Sequence, residues 1–141
     1  MTSLLLAAES GGSLYAVPSE FVREITPMVA VTRIPRAPDY VRGLLNLRGV
    51  LLTVVDLAQR LGREPARATD ASVLVLTVEG KTLGLLVDDV HEVFQPEEQP
   101  DGTNEDLTAG RPGSLVARMG HFREAIVIEV DVPELVRQTL A

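Results

Sequence analysis

The side chains best suited to proton transfer or metal binding are two histidines, His91 and His121, and the adjacent carboxylates Asp88 and Asp89. Their spacing supports neither chemistry. The chain has no HExxH pattern and no Cys/His set, so nothing places two zinc ligands on one helical face. Asp88 and Asp89 are chain neighbours in a strand-like run, where successive side chains point to opposite faces and cannot converge on one substrate. No GxSxG elbow presents a serine, and neither GxxxxGK[ST] nor GxGxxG offers a phosphate cradle. The acids between 97 and 106 lack the order of a calcium loop. The residues therefore point away from an enzyme and indicate no catalytic group, no cofactor and no metal. One charged residue still asks for an explanation. Arg48 sits in VRGLLNLRGVLLTVVDLAQRLG (41–62), where eleven residues are Leu or Val.

The elements that hold Arg48 follow from composition and pattern. The chain has 141 residues, no Cys and a net charge of −7. That length suits one domain or two very small ones, with enough core to fold without disulfides. The acidic balance disfavours nucleic acid and anionic membranes, both of which select clustered Lys and Arg. No apolar run approaches the roughly 20 residues that span a bilayer. MTSLLLAAESGG lacks a basic leader and reads as a strand rather than a signal peptide, so a cytoplasmic location with no membrane insertion is expected.

Val, Leu and Ile in short runs between Gly and Pro signals predict an all-β fold. Strands are expected at 3–9, 14–17, 29–34, 43–47, 50–55, 72–78, 82–87, 90–94, 114–119 and 125–130. A short turn of helix follows Pro18. Asp56 is placed to cap a short helix ending at Gly62, and Asp131 to cap a final helix with Pro133 in its first turn. Residues 95–113 read as a long acidic loop.

The pattern repeats faintly. Val22-Arg23-Glu24-Ile25 resembles Val90-His91-Glu92-Val93, and Val54-Val55-Asp56-Leu57 resembles Glu129-Val130-Asp131-Val132, in the same order. Two similar small barrels are therefore expected, closed so as to hide strand edges.

The stretch 41–62 also resembles the signature of the CheW family, the adaptors that couple chemoreceptors to the CheA histidine kinase. The shared pattern is Gly43-Leu44-Leu45-Asn46-Leu47-Arg48-Gly49, an apolar run, then Asp56-Leu57 and Gly62. YAVPSEFVREI and VTRIPRAPDYVRG upstream, and GLLVDDVHEVF downstream, resemble the flanking family motifs, so the likeness covers about residues 3–138. Thr53 stands where the family usually has Pro.

The resemblance implies a single CheW-like domain over 1–141, built as two five-stranded barrels in tandem with short helices, one of them C-terminal. The approximate division is 15–85 for the first barrel and 1–14 plus 86–141 for the second. It implies a non-catalytic adaptor for chemotaxis signalling. Its partners would be the regulatory domain of a CheA-type kinase and the cytoplasmic tip of a methyl-accepting chemoreceptor. Val22, Glu24 and Arg48 are the expected receptor-groove residues, and Ile34, Pro35 and Tyr40 the expected kinase face. Gly43, Asn46, Gly49 and Asp56 are expected to be structural. With no kinase or receiver segment after residue 141, the stand-alone adaptor is the expected form. The alternatives are a CheW-like module of another pathway (CheV-like, pilus or gliding motility) and a small-molecule-binding barrel, the last disfavoured by the lack of polar groups along the strands.

For Arg48 two roles stay open. It either pairs with Glu24 at the groove rim and offers its remaining donors to a receptor, or ties its own loop by bonding backbone carbonyls.

Overall fold

The computed structural model describes residues 4–67, 69–95 and 113–140. A hairpin of β1 (Leu5–Ser10) and β2 (Ser13–Pro18) leads through a 3-10 turn at Ser19–Phe21 into β3 (Val22–Pro27). Segment 28–40 is followed by β4 (Val41–Leu47), β5 (Val50–Asp56) and α1 (Leu57–Arg60). The second half repeats this order with β6 (Ser72–Val78), β7 (Lys81–Val87), β8 (Asp89–Phe94), β9 (Val116–Phe122), β10 (Ala125–Val130) and α2 (Val132–Leu140). The fold is thus mainly β, with a C-terminal helix. The acidic stretch 97–106 lies outside the described residues.

The strands form two five-stranded sheets, the first ordered β3-β6-β7-β5-β4 and the second β8-β1-β2-β10-β9. The two orders are equivalent, but each half of the chain donates its first hairpin to the sheet built on the other half. β1 and β2 sit between β8 and β10, while β6 and β7 sit between β3 and β5. The expected division at 14/15 falls inside β2, whose partners β1 and β10 both belong to the second sheet. Residues 15–18 therefore move out of the first unit. The duplication extends to irregularities: register shifts fall between Val22 and Glu24 on β3 and between Val41 and Gly43 on β4, and corresponding shifts affect β8 and β9.

The exchange explains the near-continuous apolar runs. On β1, Leu5 and Ala7 face a small core inside their own sheet, while Leu6 and Ala8 face a core shared by both sheets. On β6, Val73 and Val75 face inward, while Leu74 and Leu76 join the shared core. Strands buried on both faces lose the apolar–polar alternation of a half-exposed strand. Leu57, Val132, Leu135 and Val136 bring both helices to the shared core.

Each helix starts on the predicted cap. Asp56 Oδ1 accepts from Gln59 N at 3.0 Å and Asp131 Oδ1 from Glu134 N at 3.0 Å, satisfying amide donors that the first turn leaves free. Four hairpins close through two-residue turns with positive φ at both positions, at 11–12, 48–49, 79–80 and 123–124. These mirror-image turns match the strand twist.

One expected strand is absent. Residues 29–34 make only an isolated bridge, Thr32 with Leu44, closed by hydrogen bonds of 2.8 and 2.7 Å. Prolines at 35 and 38 bound the segment, and a turn from Ile34 to Ala37 diverts it, so it crosses the edge of β4 instead of extending the sheet. Gly43 permits this crossing: its φ is +140°, and a Cβ there would lie 2.5 Å from the Thr32 carbonyl oxygen.

Gly43→Ala is expected to lower the unfolding free energy by roughly 3 kcal/mol, because backbone strain and a clash with backbone combine. Gly49→Ala is expected to cost about 1 kcal/mol, since its φ of +85° opens onto empty space and only the left-handed penalty applies. Urea unfolding of the two variants checks the order.

Candidate functional site

β3 and β4 end the first sheet's strand order, and no described ladder joins them. Arg48 spans the rim. It occupies the first position of the β4–β5 turn, with φ of +51°, and its Nη2 donates to Glu24 Oε1 on β3. The turn itself is tied by another residue: Asn46 Oδ1 accepts from Gly49 N at 2.9 Å. Loop-tying thus falls to Asn46, and Arg48 makes the pairing with Glu24. The Arg48 side chain is 70% exposed and that of Glu24 29%, so the pair contributes only about 0–1 kcal/mol to folding.

Glu24 is opposite Val75 of the first sheet's own core, and the other face of β3 is apolar. Val22 is opposite Leu76 and Ile25 opposite Leu74, both shared-core residues. Val22 is half-buried against that core, whereas Ile25 remains 47% exposed. The seam between the sheets therefore comes to the surface along β3. Ile25 was not among the expected groove residues. Its period-2 position identifies its face, but only the sheet order shows that this face lacks cover.

The residues expected at the kinase face divide. Ile34 and Pro35 lie in the turn over 34–37, half-buried and exposed respectively. Tyr40 packs on the shared core, its carbonyl oxygen accepts from Asp56 N at 2.8 Å, and the Arg60 guanidinium lies 4.9 Å from its ring centre. These contacts make Tyr40 a brace between segment 28–40 and α1.

Asp56 is fully buried. Besides capping α1, its Oδ2 accepts from Ala66 N at 2.9 Å and from Arg42 Nη1 at 3.3 Å. It holds the connection between the halves against the end of β5. Burial pushes the Tyr15 phenol up. Hydrogen bonds from Arg137 and then Gln138 pull Glu134 down to about 2. Among the described residues no group of three or more His, Asp or Glu is placed to hold a metal ion, and no helix is long and apolar enough to cross a membrane.

The second sheet carries a counterpart that the sequence reasoning missed. Arg123, first in the β9–β10 turn with φ of +49°, donates from Nη2 to Glu92 Oε1 on β8. Arg123 follows Arg48 by the 75 positions that separate Asp131 from Asp56, and Glu92 occupies Glu24's place in the repeat. That shared spacing was the available signal.

A family model for the CheW-like domain matches residues 4–140. This chain belongs to the CheW-like domain family. It is 40% identical over 91 residues to a protein described as a probable chemotaxis protein CheW from Rhizobium etli, covering 64% of this chain and 59% of that relative. The match thus spans less than two thirds of that relative's length. It is 30% identical over 110 residues to chemotaxis protein CheW of Thermotoga maritima, covering 77% of this chain and 70% of the relative. The crystal structure of the CheW scaffolding protein from Thermoanaerobacter tengcongensis has the same fold, with a TM-score of 0.75 at 23% identity over 94% of this chain and 86% of that one.

Stability measurements distinguish the two arginine–carboxylate pairs of the first sheet. Asp56→Ala strands two backbone donors and the Arg42 guanidinium, and is expected to cost roughly 3 kcal/mol. Arg48→Ala is expected to cost less than about 1 kcal/mol. Equal losses in urea unfolding would contradict this assignment.

Proposed function

We propose that this chain is a non-catalytic cytoplasmic adaptor that couples chemoreceptors to a CheA-type histidine kinase. The observation that carries the reading is the incompletely covered apolar face of β3, Val22 and Ile25, on an edge strand whose other face carries the partly exposed Arg48–Glu24 pair. Apolar anchors with a polar rim suit an amphipathic helix laid into a groove. The helical hairpin at a receptor's cytoplasmic tip offers such a face. Arg48 has little value as a folding device, whereas its guanidinium keeps donors beyond the one given to Glu24. Those donors fix the register of a helix that the apolar residues hold.

The kinase regulatory domain is assigned to segment 28–40, where Pro35 is exposed, Ile34 is half-buried and Tyr40 braces the base. Arg36 in that segment has φ of +63°, a conformation costly for a non-glycine residue and sustained by the turn around it. Receptor and kinase then occupy different parts of one rigid body, and the chain joins them without performing a reaction.

Binding of the full chain to a receptor cytoplasmic hairpin and to the kinase regulatory domain tests the reading. Arg48→Glu and Ile25→Ser are each expected to weaken receptor binding at least tenfold, about 1.4 kcal/mol, and to leave kinase binding unchanged. Undiminished receptor binding by both folded variants would contradict it.

A further inference from the structure

We propose that the edge of β8 is a second docking site, the internal mate of the one on β3, and that it takes an amphipathic helix whose apolar stripe is flanked by Lys or Arg. The class of occupant rests on the reading of β3 given above; the location rests on this chain's own geometry. β8 ends the second sheet as β3 ends the first. Val90 is opposite Ala8 and Val93 opposite Leu6, both shared-core residues. Val90 packs against that core, while Val93 is 49% exposed. The seam therefore surfaces twice, once along β3 and once along β8, each time beside an Arg–Glu pair made by the same atoms.

Three differences give the second edge its own specificity. Glu124 stands where the first turn has Gly49, and His91 where β3 has Arg23. Asp89 adds a carboxylate that is 70% exposed. Asp89 and Glu92 on β8 and Glu124 in the adjoining turn thus outnumber Arg123, and the edge attracts cations where the β3 edge, with Arg23 and Arg48, attracts anions. Second, the Arg123 guanidinium lies 5.1 Å from the Phe122 ring centre, and Phe122 packs against Phe94 with ring centres 4.6 Å apart and planes tilted by 44°. This aromatic support fixes the pair from below, in place of Leu47 and Thr26 at the corresponding positions of the first sheet. Third, Arg123 and Glu124 have φ of +49° and +65°. Among the described two-residue turns, theirs alone has no glycine. Glycine would relieve both positions, so the fold itself does not ask for these two charged side chains.

Two synthetic peptide helices with the same leucine stripe, one flanked by Lys and the other by Glu, test the proposal by amide NMR of the labelled full chain. The Lys-flanked peptide is expected to shift amides of Val90–Phe94 and Arg123–Ile126, and to bind at least tenfold more tightly than the Glu-flanked one. Val93→Ser and Glu92→Lys, each checked for an unchanged amide spectrum elsewhere, are expected to weaken it at least tenfold, while Ile25→Ser leaves it unchanged. Shifts confined to β3, no shifts, equal binding of both peptides, or self-association of the chain through β8 in place of peptide binding would overturn the proposal. Receptor-hairpin binding at β3 is a separate measurement, and its failure leaves these outcomes readable.

Discussion

Burial of four strands on both faces is the constraint on which the rest of this structure depends. β1, β2, β6 and β7 each contribute side chains to a small core within their own sheet and to the large core between sheets. Each hairpin belongs by sequence to one half and by pairing to the other. Neither half can therefore complete a sheet from its own strands. The shared core joins both sheets to α1 and α2, and each fully buried leucine in it contributes roughly 2 kcal/mol through apolar area removed from water. Interlocked pairing makes the two sheets one body.

The same constraint decides which surfaces stay open. The central strands are covered on both faces, which leaves the outer strands and the turns. β3 and β8 flank the shared core without being fully covered by it, and Ile25 and Val93 stay about half exposed although their ladder partners are core residues. At each of these edges an arginine from a tight turn meets a glutamate on the edge strand. Such exposed pairs add little to stability. In the proposed function they orient a partner that apolar contact alone would leave free to slide.

Much of this was legible in local sequence. Asp56 and Asp131 cap helices because a carboxylate before an apolar run suits unpaired amides. The Arg48–Glu24 contact followed from a charged residue that an apolar interior could not hold. What escaped was nonlocal. Strand exchange between repeats leaves no mark on either repeat, since the same apolar run serves whichever neighbour covers it. Residues 29–34 have strand-like composition, yet the bounding prolines and the close passage at Gly43 reduce their pairing to one bridge. The family resemblance and its segment alone place Tyr40 at the kinase face; its half-buried ring also packs on the shared core and beside Arg60, which local sequence does not show. The Glu92–Arg123 pair required applying the repeat to charged residues as well as to apolar ones.

Native-state hydrogen exchange of the full chain addresses the interlocked core most directly. Amides of β1 and β2 and those of β6 and β7 are predicted to exchange only through one global opening, with a common free energy and the same denaturant dependence. Two separate openings, one for each sheet, would contradict the account.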